Sequence, residues 1–292
     1  LGSLILSAVL LIVNEILTPA VIVLGLFGNI LSIIILGQPQ HAKLTTCFYM
    51  RVLSAFDSTI LLTQVLVRCV VNFHPNLMFE KGPIMCPVMF FTGGAVGLSN
   101  WTIAAMTFDR FLAVRCPLNA ASWCTKRRCK ITVYPPNGII RRELPGHLEW
   151  ALTLFNTYML LLGTIIPFAI LTVSNIIIII RLRRAATERK KLESRPTKQN
   201  PTQQPHITRM LLLTSTAFLF CSCPKRIWET FSSQYDLSNT YWSTRYWLEF
   251  WIFTKLWETN FAINFYIYFL GGGRKFRNDA KEVLTRCCKK ST

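Results

Sequence analysis

Six long apolar runs, parted by basic or polar loops, limit what this chain can become. They cover residues 10–36, 46–73, 85–115, 149–181, 207–230 and 245–270. A hydrocarbon core about 30 Å thick takes roughly 20 apolar residues as a helix. Lipid offers the backbone no hydrogen-bond partners, so a spanning segment must close its own bonds, and a helix does so within one segment. The expected fold is an all-α membrane protein: one bundle over residues 1–292, with six recognisable spans and a short amphipathic tail helix over 273–286. Only 16% of residues are charged, where a soluble domain carries about 25%, so a water-soluble fold is the poorer reading.

The formal net charge of +18 is concentrated between the runs. Lys126, Arg127, Arg128 and Lys130 follow the third run, Arg181, Arg183 and Arg184 the next, and Arg274, Lys275 and Arg277 the last. Basic loops stay cytoplasmic, where they meet anionic membrane lipid. Nucleic acid is a poor partner for charges that flank apolar spans. Residues 188–205 read as a polar cytoplasmic loop. The sequence starts at Leu1, with no basic-start signal peptide, as a processed, trimmed or partial chain would.

Polar side chains interrupt the runs where lipid penalises them. A charge at the centre of a spanning helix costs roughly 2.5–3.5 kcal/mol, so Asp57 needs partners. Asn29, Ser99, Asn260 and Asn264 are the candidates. Asp109-Arg110 closes the third run, and such a pair faces protein or lies at a helix end. Pro167 and Pro224 lie within later runs, where a proline frees a backbone carbonyl and permits a bend, static or mobile. Cys47, Cys69, Cys221 and Cys223 lie in apolar runs and are expected as buried thiols.

In order and spacing, Gly28-Asn29, Asp57, Ser99, Asp109-Arg110-Phe111, Pro167, Phe218, Pro224 and Asn264-Phe265-Tyr266-Ile267-Tyr268 resemble the rhodopsin-like family of G-protein-coupled receptors. The resemblance covers nearly the whole chain. The last motif, with Phe276-Arg277 beyond it, is similar to invertebrate neuropeptide receptors, including those for FMRFamide-like peptides. The resemblance implies a plasma-membrane, multi-pass receptor. It implies a switch in which Arg110, paired with Asp109 at rest, swings toward Tyr268 and admits a helix of a heterotrimeric G protein. Pro167, Phe218, Pro224 and Asn264 carry the motion, and Leu118 is a further G-protein contact. It also implies a sodium ion among Asn29, Asp57, Ser99, Asn260 and Asn264; a plain hydrogen-bonded polar core or a protonated Asp57 is the alternative. The implied disulfide joins Cys86 to Cys129, and Cys287 and Cys288 are implied lipidation sites, or else free thiols.

Two ligand classes are set aside on the same basis. The opsin position for a retinal-bearing Lys holds Glu258, with Lys255 out of register, so no retinal is expected. The position where aminergic receptors place an Asp holds Thr92. The outer ends instead carry Lys225, Arg226, Glu229, Glu249, Trp251, Thr254 and Glu258, a charged and aromatic mouth suited to a peptide. A glutamate there is expected to pair with an Arg of the ligand. Interfacial anchoring is the other reading of these residues.

The chain departs from the family in four places. Ser222 replaces the aromatic before Pro224, and Phe265 replaces the proline of the last motif. No acidic partner for Arg110 stands near Gln204. Between Cys116 and Leu148 no apolar run is long enough to cross, so the family's fourth span is missing; basic residues abut an expected hairpin over 131–148. A truncated, non-signalling receptor retained in the endoplasmic reticulum is therefore the alternative function. A transporter would show internal repeats, and none is seen. No metal-ligand spacing, nucleotide loop or nucleophile arrangement points to an enzyme.

Overall fold

The computed structural model describes residues 8, 12–42, 44–73, 85–115, 161–192, 204–232 and 238–290. All regular structure among them is helical. A π-helical turn, Ile12–Leu17, leads into α1 (Thr18–Gly37); a single turn, Pro39–Ala42, leads to α2 (Thr45–Phe73). Then come α3 (Met85–Arg115), a second π-helical turn (Leu161–Ile165) running into α4 (Ile166–Leu192), α5 (Gln204–Phe231), α6 (Thr240–Gly271) and α7 (Gly273–Lys290). The tail helix thus runs four residues past the expected end, and α4 continues well beyond residue 181 into its basic segment. The expected hairpin, the gap left by the family's fourth span, Leu118 and residues 149–160 lie outside the described residues.

Three of the described helical stretches are long and apolar enough to cross a membrane by length and composition: Thr18–Gly37, Thr45–Cys69 and Leu161–Ala185. Small, polar and charged residues lower the hydropathy of α3, α5 and α6, and many of these face the interior. Ser99, Asn100, Ser215 and Glu258 are buried. On α1 the pattern is plain. Val23, Leu24, Phe27, Ile30 and Ile34 are exposed, while Gly25, Gly28, Asn29 and Ser32 are buried. The apolar stripe faces outward and the small residues face protein, as lipid solvent requires.

α1 packs on α2 and α6, α3 packs on α2 and α4, and α5 packs on α6 and more lightly on α3 and α4. Close approach needs glycine at the α1–α2–α6 junction. A methyl group on Gly25 would lie 2.6 Å from Leu61 Cδ1 and 2.7 Å from Ala262 Cβ. Side-chain hydroxyls of Ser54, Thr102, Thr107 and Thr214 donate to carbonyls one turn back, so they reach a partner without water. α6 begins at an Asn239 cap that accepts from Tyr241 N at 2.9 Å. It ends at Gly272, and Gly273, at φ 77°, turns the chain into α7. α7 is tied down where His41 Nε2 meets Asp279 Oδ2 at 2.7 Å and Phe276 enters the core. Cys47 and Cys221 are buried as expected; Cys69 is exposed and Cys223 half-buried, because both lie on outer faces of their helices.

Candidate functional site

Asp57 is fully buried in the middle of α2. Ser99 of α3 donates to its Oδ1 at 2.7 Å, and Asn264 of α6 donates to its Oδ2 at 2.6 Å. One carboxylate thus joins three helices. A buried charge is tolerable only with such partners. Of the four candidates, Ser99 and Asn264 engage Asp57, while Asn29 and Asn260 do not. Asn29 instead donates to the Phe261 carbonyl at 3.0 Å, tying α1 to α6. Its Oδ1, and the Asn260 amide nitrogen, are buried without a hydrogen-bond partner among the described residues. α6 faces the core with Asn260, Phe261, Asn264, Phe265 and Tyr268 at helical spacing.

Pro167 is buried at the second position of α4, just after the π-helical turn. It has no N–H to give the carbonyl four residues back, that of Gly163. Asn100 of α3 donates to this carbonyl at 2.6 Å. The widened turn accommodates the ring and the neighbouring helix supplies the donor. Beside it, Phe168 meets Phe218 edge-on at 5.0 Å between ring centres. Phe218 packs with Leu53, Ile103, Ala104 and Leu171. Ser215 donates to Asn175 Oδ1 at 3.0 Å, a polar link between α5 and α4. Pro224 lies inside α5, one and a half turns outward from Phe218.

At the inner end, Arg110 and Asp109 form an ion pair at 3.9 Å, beyond hydrogen-bond reach. Arg110 Nη2 donates instead to Thr46 Oγ1 on α2, and Asp109 Oδ2 accepts from Thr45 Oγ1 at 3.4 Å. The start of α2 holds both members because its first turn brings two hydroxyls against the end of α3. Tyr268 is fully buried one layer outward, in a cluster with Met50, Met106 and Met210. No acid stands on α5 near Arg110. A different tie closes this end. Arg209 Nη2 of α5 donates to the Gly271 carbonyl at 3.2 Å and reaches the Leu270 carbonyl at 3.4 Å. These carbonyls end α6, where a cation is favourable. Met210, the next residue, packs directly on Gly271 and Gly272.

Each glutamate offered for a ligand Arg already has a partner in the chain. Glu229 accepts from Arg226 at 2.8 Å. Glu249 accepts from Arg245 at 2.8 Å and from Trp228 Nε1 at 3.1 Å. Glu258 pairs with Lys255 at 2.5 Å, with both side chains at most 10% exposed. The physical reason is helical spacing: the cations stand three or four residues from their acids and reach them first. Lys225 Nζ lies 3.9 Å from the Trp257 ring centre, and Lys255 lies 5.5 Å from Trp251. Thr254 is buried with its hydroxyl unpaired among the described residues, and Thr92 donates to the carbonyl of Val88 within α3.

Cys86 lies in the first turn of α3, and its implied partner Cys129 lies outside the described residues. Cys287 and Cys288 fall in the last turns of α7. Sequence reasoning missed Thr46, Asn100, Arg209 and Trp228. A lone Asn inside an apolar run was the one visible signal for Asn100. The others needed to be seen against a neighbouring helix.

Comparison with known proteins follows the same lines. A family described as 7 transmembrane receptor (rhodopsin family) matches residues 28–134. One described as Serpentine type 7TM GPCR chemoreceptor Srw matches residues 141–287, half of the chain. The chain is 28% identical over 294 residues to the FMRFamide receptor of Drosophila melanogaster, covering 87% of this chain and 50% of that protein. It is 24% identical over 250 residues to the somatostatin receptor type 2 of Sus scrofa, covering 75% of this chain and 64% of that protein. A shorter match, 32% over 111 residues, is to the gastrin/cholecystokinin type B receptor of Sus scrofa, covering 37% of this chain and 24% of that protein. The chain thus spans about half the length of the fly receptor and under two thirds of the pig somatostatin receptor.

Proposed function

We propose that this chain, which belongs to the rhodopsin-like family of seven-transmembrane G-protein-coupled receptors, senses an extracellular peptide at the plasma membrane and passes the signal to a heterotrimeric G protein. It is a multi-pass membrane receptor and not an enzyme. The single observation that carries the signalling reading is Asp57 buried between Ser99 and Asn264. A shared carboxylate makes α2, α3 and α6 one unit, so a displacement of the outer part of α6 is felt beside Tyr268 and Arg110. The relatives named for FMRFamide, somatostatin and cholecystokinin support a peptide as the ligand.

Opening of the inner end would separate α5 from α6, break the Arg209 contacts and free Arg110 from Thr46. Arg110 then turns toward Tyr268, and the G protein's helix takes the space between them. Pro167, Phe218 and Pro224 lie between the mouth and this end and carry the bend. The donor chemistry of the polar core suits sodium: Asp57 and Ser99 offer oxygens side by side. Bound there, the ion would supply a positive charge opposite the carboxylate. Cys86 with Cys129, and lipidation at Cys287 and Cys288, belong to the same reading.

The truncated, non-signalling alternative has less support, because the matched relatives bear the names of hormone and neuropeptide receptors. Retention in the endoplasmic reticulum finds no support either. The test is expression of the full chain in cells carrying a G-protein activation sensor, challenged with FMRFamide-like, somatostatin-like and cholecystokinin-like peptides. Surface expression with a peptide-dependent response is expected, and loss of the response in Arg110→Ala. Correct surface expression with no response across a broad peptide panel would return the non-signalling reading.

A further inference from the structure

Lys225 has an ionic partner but no hydrogen bond among the described residues. It stands directly after Pro224, and its side chain is 13% exposed. Its ammonium lies over the Trp257 ring, and Trp257 packs inward against Ile22, Ile60, Ala95 and Val96. The nearest carboxylate oxygen, Glu229 Oε1, is 3.8 Å away, and the other oxygen of Glu229 is held by Arg226 at 2.8 Å. An ammonium carries three donors, and a ring face accepts none of them as a hydrogen bond of ordinary strength.

The surrounding charge has one sign to spare. The charges acting on Lys225 are Glu229, Arg226, Glu258 and Lys255. Glu258 is taken up by Lys255 at 2.5 Å, and Arg68 of α2 acts on Lys255 as well. Among Lys225 and the described residues acting on it, three cations therefore stand against two carboxylates, and both carboxylates are already bound.

We infer that the mouth binds a carboxylate of the ligand, with Lys225 as its counter-charge. This rests on the peptide-receptor reading and reverses the expected polarity, in which a glutamate meets a ligand arginine. The carboxylate has two sources in a peptide, an acidic side chain or a free C-terminus. Either replaces the missing acceptor on Lys225, whereas an arginine in the same place would face three cations and, among the described residues, no unclaimed acid.

The test uses the full chain in lipid nanodiscs and four pools of random hexapeptides. One pool is amidated and neutral, one amidated with a single Asp, one neutral with a free C-terminus, and one amidated with a single Arg. Ligand-induced thermal stabilisation is the readout. The Asp pool or the free-carboxylate pool should stabilise at a concentration at least tenfold lower than the other two, and which of them does so names the source. Lys225→Gln should abolish that preference, while Lys225→Arg keeps it. If Lys225→Gln does not fold, the pool ranking on the unaltered chain and Lys225→Arg still decides. Stabilisation led by the Arg pool or the neutral amidated pool, or a carboxylate preference that survives Lys225→Gln, overturns this inference and leaves the peptide reading standing. No response to any pool overturns the peptide reading itself.

Discussion

Asn264 donates to Asp57 at 2.6 Å, binding the last span to the second across 207 positions of sequence. Ser99 holds the other carboxylate oxygen at 2.7 Å. Replacing the acceptor strands both donors in a dry core, at about 1–3 kcal/mol for each. Asp57→Leu should therefore lower the thermal unfolding temperature of the solubilised chain markedly. Asp57→Leu combined with Asn264→Leu should cost less than the two single changes summed, since the stranded amide is removed. Strict additivity would show that the bond contributes nothing. If sodium binds at this carboxylate, added sodium should also raise the unfolding temperature of the parent chain and leave Asp57→Asn unmoved.

The Asn100–Gly163 contact makes a second expectation. Pro167 denies the Gly163 carbonyl its usual helical donor, and Asn100 provides one at 2.6 Å. Asn100→Leu should cost about 1–3 kcal/mol through the stranded carbonyl. Pro167→Ala returns an N–H to the helix, so Asn100→Leu should be milder in that background. A double-mutant cycle by chemical denaturation measures the difference, and zero coupling would mean that the two residues act separately.

Arg209 should act as a brake. Its bonds to the last carbonyls of α6 hold α5 and α6 together at the inner end. Losing a partly exposed, charge-assisted contact of about 1 kcal/mol shifts a two-state balance roughly fivefold. Arg209→Ala is expected to raise ligand-independent G-protein activation by that order at equal surface expression. Gly271→Val, which would push Met210 away, should act in the same direction. An unchanged or lowered basal signal in both variants would remove Arg209 from the switch.

Two glycines give a paired stability measurement. A methyl group on Gly25 would meet Leu61, Ala262 Cβ and the Ala262 Cα at 2.6–3.0 Å, whereas one on Gly94 meets nothing within 4 Å. Gly25→Ala should destabilise by about 1–3 kcal/mol, because a backbone must shift. Gly94→Ala should be neutral or stabilising by up to about 1 kcal/mol, from helix propensity alone. Equal effects in thermal melts would contradict the packing of α1 on α6.

Much of this molecule could be read before any coordinates. Hydropathy picked out the runs that become helices, although only three of the described helical stretches are apolar and long enough to cross by composition alone, and the described boundaries of α2 and α3 lie within a residue of those expected. The cost of burying polar groups singled out Asp57, Ser99, Asn264 and Arg110, since each breaks a pattern that lipid otherwise enforces. Which of these groups touch was not legible. Asn29 was expected at Asp57 and reaches Phe261 instead. Asp109 was expected to hold Arg110 and forms the ion pair at 3.9 Å, while Thr46, which the sequence did not single out, also meets Arg110. Asn100 and Arg209 attracted no notice until α4 and α6 stood beside them. A sequence states how far apart two residues are along a helix, and the three-residue spacing of Lys255 and Glu258 permits their pairing. It does not state how two helices are rotated and shifted against each other, and a fraction of a turn decides whether a side chain meets a carboxylate, a carbonyl or lipid. Helix formation is a local matter that solvent enforces. The pairing of buried polar atoms is settled only when all the helices pack at once.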